Sequence, residues 1–153
     1  MIISVIYLII SLFLDLLMSN FFSSYLNSVS LFTTLYLVVG LVIIYPYFNN
    51  DKKYFILVII FGLLFGVLYP SSFFFSLLLF IVIGIFIKFL YNLFPENVFM
   101  TNLISLLAII IYHVLSFLIL SLFNYVSYDF ALLMYIILGS IIMTVIYTSV
   151  SYY

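Results

Sequence analysis

Six long apolar runs make up almost all of this 153-residue chain, and only short polar segments separate them. The runs cover residues 2–18, 29–48, 54–69, 73–91, 98–123 and 128–150. A helix that crosses a bilayer needs about 20 mostly apolar residues, with a usual range of about 17–25. Runs of about this length, placed one after another, predict that the chain crosses a membrane six times.

The composition favours lipid as the surroundings of the chain. Hydrophobic residues make up 70% of it and charged residues 5%, whereas a soluble domain carries about 25% charged residues. In lipid the backbone polar groups must pair within the protein, which leaves helices or a closed barrel. Barrel strands alternate apolar and polar residues, and runs such as Phe73–Ile87 do not alternate. We therefore predict an all-α integral membrane protein, a compact bundle of about six transmembrane helices in one domain, 1–153.

The few lysines indicate an orientation in the cell membrane. Positively charged residues concentrate in short cytoplasmic loops, and six spans place Lys52, Lys53 and Lys88 on the same side as both ends of the chain. We expect the N- and C-termini to be cytoplasmic. No basic residue precedes Ile2–Met18 and no small-residue cleavage site follows it, so this run is expected to be retained as the first helix rather than removed as a signal peptide.

The residues that are missing exclude several classes of function. There is no arginine and no basic stripe to neutralise phosphates, which excludes nucleic-acid binding. There is no cysteine for disulfides, iron–sulfur clusters or thiolate zinc sites, and a single histidine cannot build a metal cluster. No Gly-x-Ser motif of an intramembrane serine protease occurs. We expect no enzymatic activity, no cofactor and no resident metal.

Two ionisable residues fall within predicted spans, where a charge is costly and indicates a function. Asp15 lies about 20 Å along the first helix at 1.5 Å per residue, and His113 reaches nearly the same depth in the fifth helix, which runs in the same direction. The two form a candidate intramembrane polar pair. The alternative is that Asp15, one turn from Ser19, reaches the outer headgroups while His113 bonds a neighbouring serine or carbonyl.

Asp15 and Asp129 could form a pair of intramembrane aspartates similar to that of lipoprotein signal peptidases, but the local sequence differs from that of these enzymes. Asp129 lacks a preceding alanine, and Asp15 lies in an apolar run without the expected asparagine. Asp129 fits better at the first turn of the sixth helix, where the helix dipole favours an anion.

Small residues recur at the spacing that lets helix backbones approach closely. Gly62 and Gly66 form a GxxxG motif in the third run, and Ser140, Thr144 and Thr148 recur every four residues in the sixth. We expect helices of the same chain to use these grooves, with a partner helix as the alternative. Lys88 is expected to extend toward the headgroups. Tyrosines near the predicted helix ends are expected to form an aromatic belt; they are Tyr45, Tyr47, Tyr54, Tyr69, Tyr91, Tyr125, Tyr128, Tyr152 and Tyr153.

The central block of the chain combines several features in order. Val42–Phe48 ends a helix at a proline, a lysine-bearing loop follows, and Phe61–Tyr69 leads into a serine-containing turn and a helix with Gly84. Over about Leu41 to Lys88 this arrangement resembles the MreD family of rod shape-determining membrane proteins. In this chain Gly66 and Ser76 stand where the family usually has aspartate and asparagine.

This resemblance implies a non-enzymatic subunit of the cell-elongation complex that shapes the cell wall. Such a subunit would pack against the transmembrane helix of an MreC-like protein and help link MreB filaments to the RodA glycosyltransferase and its transpeptidase. The family is similar in fold to the substrate-binding subunits of energy-coupling-factor vitamin transporters, which supplies the alternative function. In that case Asp15, Tyr112, His113 and Ser116 would line a polar cavity, although the first run lacks the Ala-x-x-x-Ala motif of such subunits.

Overall fold

A computed structural model describes residues 2–23, 35–68, 73–122 and 130–152. Within these ranges the chain is helical apart from short connections, and no strand is present. The elements are α1 (Ile2–Ser23), α2 (Tyr36–Ile44) with a 3-10 turn (Tyr45–Tyr47), α3 (Asp51–Leu68), α4 (Phe73–Leu93), α5 (Val98–Leu122) and α6 (Phe130–Tyr152). The predicted all-α class is confirmed. Asp129 lies outside the described residues.

Three of these helices are long and apolar enough to cross a membrane. The qualifying segments are Phe75–Leu93 in α4, Val98–Ile119 in α5 and Leu133–Tyr152 in α6. Two shorter apolar helical segments, Ile2–Leu17 and Tyr36–Tyr47, accompany them. These lengths support a membrane protein, and the number of six crossings stays a prediction.

Asparagine side chains set the start of two helices. The Asn50 side chain accepts the backbone N–H of Lys52 at 2.9 Å, and the Asn97 side chain accepts that of Met100 at 2.8 Å. Such caps satisfy N–H groups that a helix leaves unpaired in its first turn. Because Asn50 caps α3, this helix begins at Asp51, three residues before the predicted start at residue 54.

Helix α2 occupies the centre of the bundle. All nine of its residues are buried, and it contacts α1, α4, α5 and α6. It is also short: the predicted run begins at residue 29, whereas Leu35 is not helical and α2 begins at Tyr36. At 1.5 Å per residue it extends about 14 Å, roughly half of a hydrocarbon core of about 30 Å. Its first turn therefore starts among buried side chains.

Glycines bring neighbouring helices close together. A Cβ atom added at Gly62 of α3 would lie 3.0 Å from the Phe80 Cβ of α4, and one added at Gly84 of α4 would lie 3.1 Å from a Val58 methyl of α3. A Cβ added at Gly40 of α2 would lie 2.9 Å from the Ser11 Oγ of α1. Gly66 is buried as well. The groove at Gly62 is thus filled by a helix of the same chain.

Candidate functional site

The carboxylate of Asp15 lies at the buried start of α2. Its Oδ1 accepts the backbone N–H of Tyr36 at 2.7 Å, and its Oδ2 accepts that of Leu37 at 2.9 Å. The first N–H groups of a helix lack partners within the helix and carry the positive end of its dipole. The residue that precedes the helix, Leu35, provides no side-chain cap. A side chain of α1 therefore supplies the hydrogen-bond acceptors that the start of α2 lacks.

Asp15 is the last of three polar residues on one face of α1. Tyr7, Ser11 and Asp15 are spaced four apart, which places them on the same side of a helix. The Ser11 Oγ donates to the Tyr7 carbonyl at 3.0 Å and lies 2.9 Å from the Tyr147 hydroxyl of α6. The Tyr147 ring meets the Tyr36 ring edge to face, with centroids 4.7 Å apart. We call these five residues the α1–α2–α6 polar cluster.

The small polar residues of α6 are buried in the bundle. Ser140 donates to the Ile137 carbonyl at 2.8 Å, Thr144 to the Ser140 carbonyl at 2.6 Å, and Thr148 to the Thr144 carbonyl at 2.7 Å. Each hydroxyl is satisfied within its own helix, as Ser and Thr in membrane helices commonly are. The face that carries them can therefore pack inward without leaving these groups unpaired, and α6 packs against α5 and α2.

His113 is buried on α5, and its ring lies 5.9 Å from that of Tyr112. Ser116 donates to the His113 backbone carbonyl at 3.1 Å. The hydrogen bonds described for Asp15 go to the backbone of α2 and do not include His113. The Asp15–His113 pair stays a prediction. The alternative that Asp15 reaches the headgroups does not fit its burial, since the residue is only 5% exposed.

A second group of polar and aromatic residues lies at the other end of α2. Lys88 and Asp51 form an ion pair of 2.6 Å in which both side chains are more than one-third exposed. The Tyr45 ring stacks on Tyr91 at 5.2 Å and meets Tyr54 edge to face at 4.9 Å. Tyr54 is fully buried, so its predicted place in an aromatic belt is wrong.

Sequence reasoning missed both the cap made by Asp15 and the Asp51–Lys88 pair. The four-residue spacing of Tyr7, Ser11 and Asp15 was a signal for the first, because polar residues on one face of an apolar helix usually face protein. For the second, the predicted topology already placed Asp51 and Lys88 on the same side of the membrane.

Comparison with known proteins gives no relative of this chain. No family model, curated protein or solved structure matches it. In the described parts of the chain, no three His, Asp or Glu residues are grouped so that they could hold a metal ion. The function therefore has to be inferred from the chain's own residues.

Proposed function

We propose that the chain is a non-enzymatic membrane subunit whose work is contact with other membrane proteins. The observation that carries this proposal is the engagement of Asp15. Both of its oxygens are bonded to the backbone of α2, and the side chain is buried. The carboxylate expected to mark a functional centre is thus committed to holding two helices together.

Ser11 and the small polar residues of α6 support the same proposal. Ser140, Thr144 and Thr148 bond carbonyls of their own helix, and Ser11 links α1 to α6 through Tyr147. The hydroxyls that are satisfied within α6 let this face pack inward, and the Ser11–Tyr147 contact ties α1 to α6 in lipid, where a lost hydrogen bond cannot be replaced by water. A transport subunit would instead need such groups directed toward its ligand.

The specific role that we propose is that of the MreD family, a subunit of the bacterial cell-elongation complex. Its support is the resemblance of Leu41 to Lys88, a stretch that forms the last four residues of α2, all of α3 and most of α4. Its partners would be an MreC-like protein and, through it, MreB filaments and the RodA–transpeptidase pair.

Depletion of the protein in a rod-shaped bacterium that carries it tests this role. We expect the cells to become round, and we expect the tagged protein, purified in mild detergent, to carry a bitopic partner of the MreC type. Unchanged cell shape together with a vitamin requirement would refute the proposal and favour the transporter subunit. Re-expression of the wild-type chain during depletion is the control.

Reporter fusions test the proposed orientation independently. We expect a cytoplasmic fluorophore to be active and alkaline phosphatase to be inactive when either is fused after Tyr153. An active phosphatase at this position would place the C-terminus outside the cell and contradict the proposed topology.

A further inference from the structure

A cleft of about 220 Å³ lies where the turn after α2 meets the connection between α4 and α5. It is lined by Tyr45, Pro46, Tyr91, Asn92, Phe94 and Glu96. The membrane-spanning segments Phe75–Leu93 and Val98–Ile119 end and begin beside it. If these two segments span a membrane, the cleft lies at the boundary between the hydrocarbon core and the headgroups.

The walls of the cleft are aromatic, and their hydroxyl groups are already engaged. The Tyr91 hydroxyl donates to the Val42 carbonyl at 3.1 Å, and the Tyr45 hydroxyl donates to Asp51 at 3.5 Å. The two rings stack with centroids 5.2 Å apart. What these half-buried tyrosines offer to a ligand is thus the ring surface that their mutual stacking leaves uncovered, and the negative face of such a ring attracts cations.

Glu96 is the one charged residue among those that line the cleft, and it makes no ion pair within the described chain. Among the described residues, the one ion pair joins Lys88 to Asp51 at 2.6 Å. The charge of Lys88, which lies close to the cleft, is therefore already neutralised. The Glu96 side chain is exposed on the cleft, and no ion pair is described for it. An exposed carboxylate beside two stacked rings is the combination that recognises an organic ammonium group.

We propose that this cleft binds the ammonium group of a small amine, with Glu96 as its counter-ion and Tyr45 and Tyr91 as its aromatic walls. The location at the membrane boundary favours the headgroup of phosphatidylethanolamine as the source, and free ethanolamine has the same chemistry. This inference is independent of the proposed role in cell elongation.

Lipid competition in nanodiscs tests the site. Discs contain equal amounts of phosphatidylethanolamine and phosphatidylglycerol, and native mass spectrometry measures which lipid the protein retains. We expect the wild type to retain phosphatidylethanolamine in excess. Glu96→Gln and Tyr91→Leu should reduce this preference about two- to fivefold, the range expected for one exposed ion pair or cation–π contact. Tyr91→Phe keeps the ring and should preserve the preference.

Two further arms complete the experiment. Tyr47→Leu is the matched control, because Tyr47 is 75% exposed nearby but does not line the cleft, and it should behave as the wild type does. In pure phosphatidylglycerol discs, binding of free ethanolamine that depends on Glu96 would support the same site with a soluble amine as ligand. Equal retention of both lipids without such binding, or a preference unchanged in Glu96→Gln, would overturn the proposal.

Discussion

Asp15 caps a helix that Tyr36 begins, through a hydrogen bond of 2.7 Å between residues 21 positions apart. A helix is usually capped by the residue that immediately precedes it, but Leu35 has no polar side chain to offer. A buried polar group without a partner costs several kcal/mol in an apolar interior. Asp15 removes this cost, and so permits a short helix to begin inside the bundle.

Substitution of Asp15 should destabilise the fold. Asp15→Ala leaves the N–H groups of Tyr36 and Leu37 without their acceptor, and we expect a loss of about 1–3 kcal/mol in the free energy of unfolding. Asp15→Asn keeps a single acceptor oxygen and should lose less. Unfolding by SDS in mixed micelles, followed by circular dichroism, measures both.

Phe13→Leu is the control for these two variants, since Phe13 lies on the same helix and is 58% exposed. It should unfold as the wild type does. If Asp15→Ala were as stable as Phe13→Leu, the cap would contribute nothing and the basis of the proposed function would be lost.

Much of the fold could be predicted from the sequence, because its main features are local. The long apolar runs indicate helices, and Asn50 and Asn97 lie where polar residues interrupt the runs and cap the helices that follow. The GxxxG motif likewise indicates close packing, and Gly62 lies against Phe80 of α4.

The start of α2 could not be predicted in the same way. The apolar run from residue 29 contains no local signal that the helix begins at Tyr36, because the group that stabilises this start belongs to α1. The prediction that Asp15 pairs with His113 rested on their similar depth in α1 and α5. It did not consider α2, which contacts both of these helices. Contacts of this kind depend on the three-dimensional packing of the chain.

Enlargement of Gly62 should separate α3 from α4. An alanine Cβ would lie 3.0 Å from the Cβ of Phe80, a fully buried side chain that has no room to retreat. Overpacking costs about 1–3 kcal/mol, and alanine recovers about 1 kcal/mol as the better helix former. We expect Gly62→Ala to lose about 1 kcal/mol net and Gly62→Val to lose more, as measured by SDS unfolding.

Leu64→Ala is the comparison for Gly62, because Leu64 is 44% exposed on the same helix. Its loss of stability should be smaller than that of Gly62→Val. A Gly62→Val protein that unfolds as the wild type does would show that the α3–α4 contact is looser than the structure has it.

The ion pair of Lys88 and Asp51 should contribute little to stability. Both side chains are more than one-third exposed, and exposed pairs are weak because water and salt screen them. We expect Asp51→Asn to shift the unfolding midpoint far less than Asp15→Ala does. The remaining shift should vanish at 1 M salt, where the screening length is about 3 Å. A shift as large as that of Asp15→Ala, unchanged by salt, would contradict this prediction.

The contact of Gly40 with Ser11 should appear as an energetic coupling between α1 and α2. An alanine at Gly40 would place its Cβ 2.9 Å from the Ser11 Oγ, so in Gly40→Ala either the Ser11 side chain or one of the two helices must shift. Ser11→Ala removes that oxygen, together with its contact to Tyr147. In a double-mutant cycle we expect the loss of stability of the double variant to be smaller than the sum of the two single losses by about 0.5–2 kcal/mol. Gly84→Ala, which meets Val58 instead, should be additive with Ser11→Ala. Additivity in both cycles would show that α1 and α2 do not touch at Gly40.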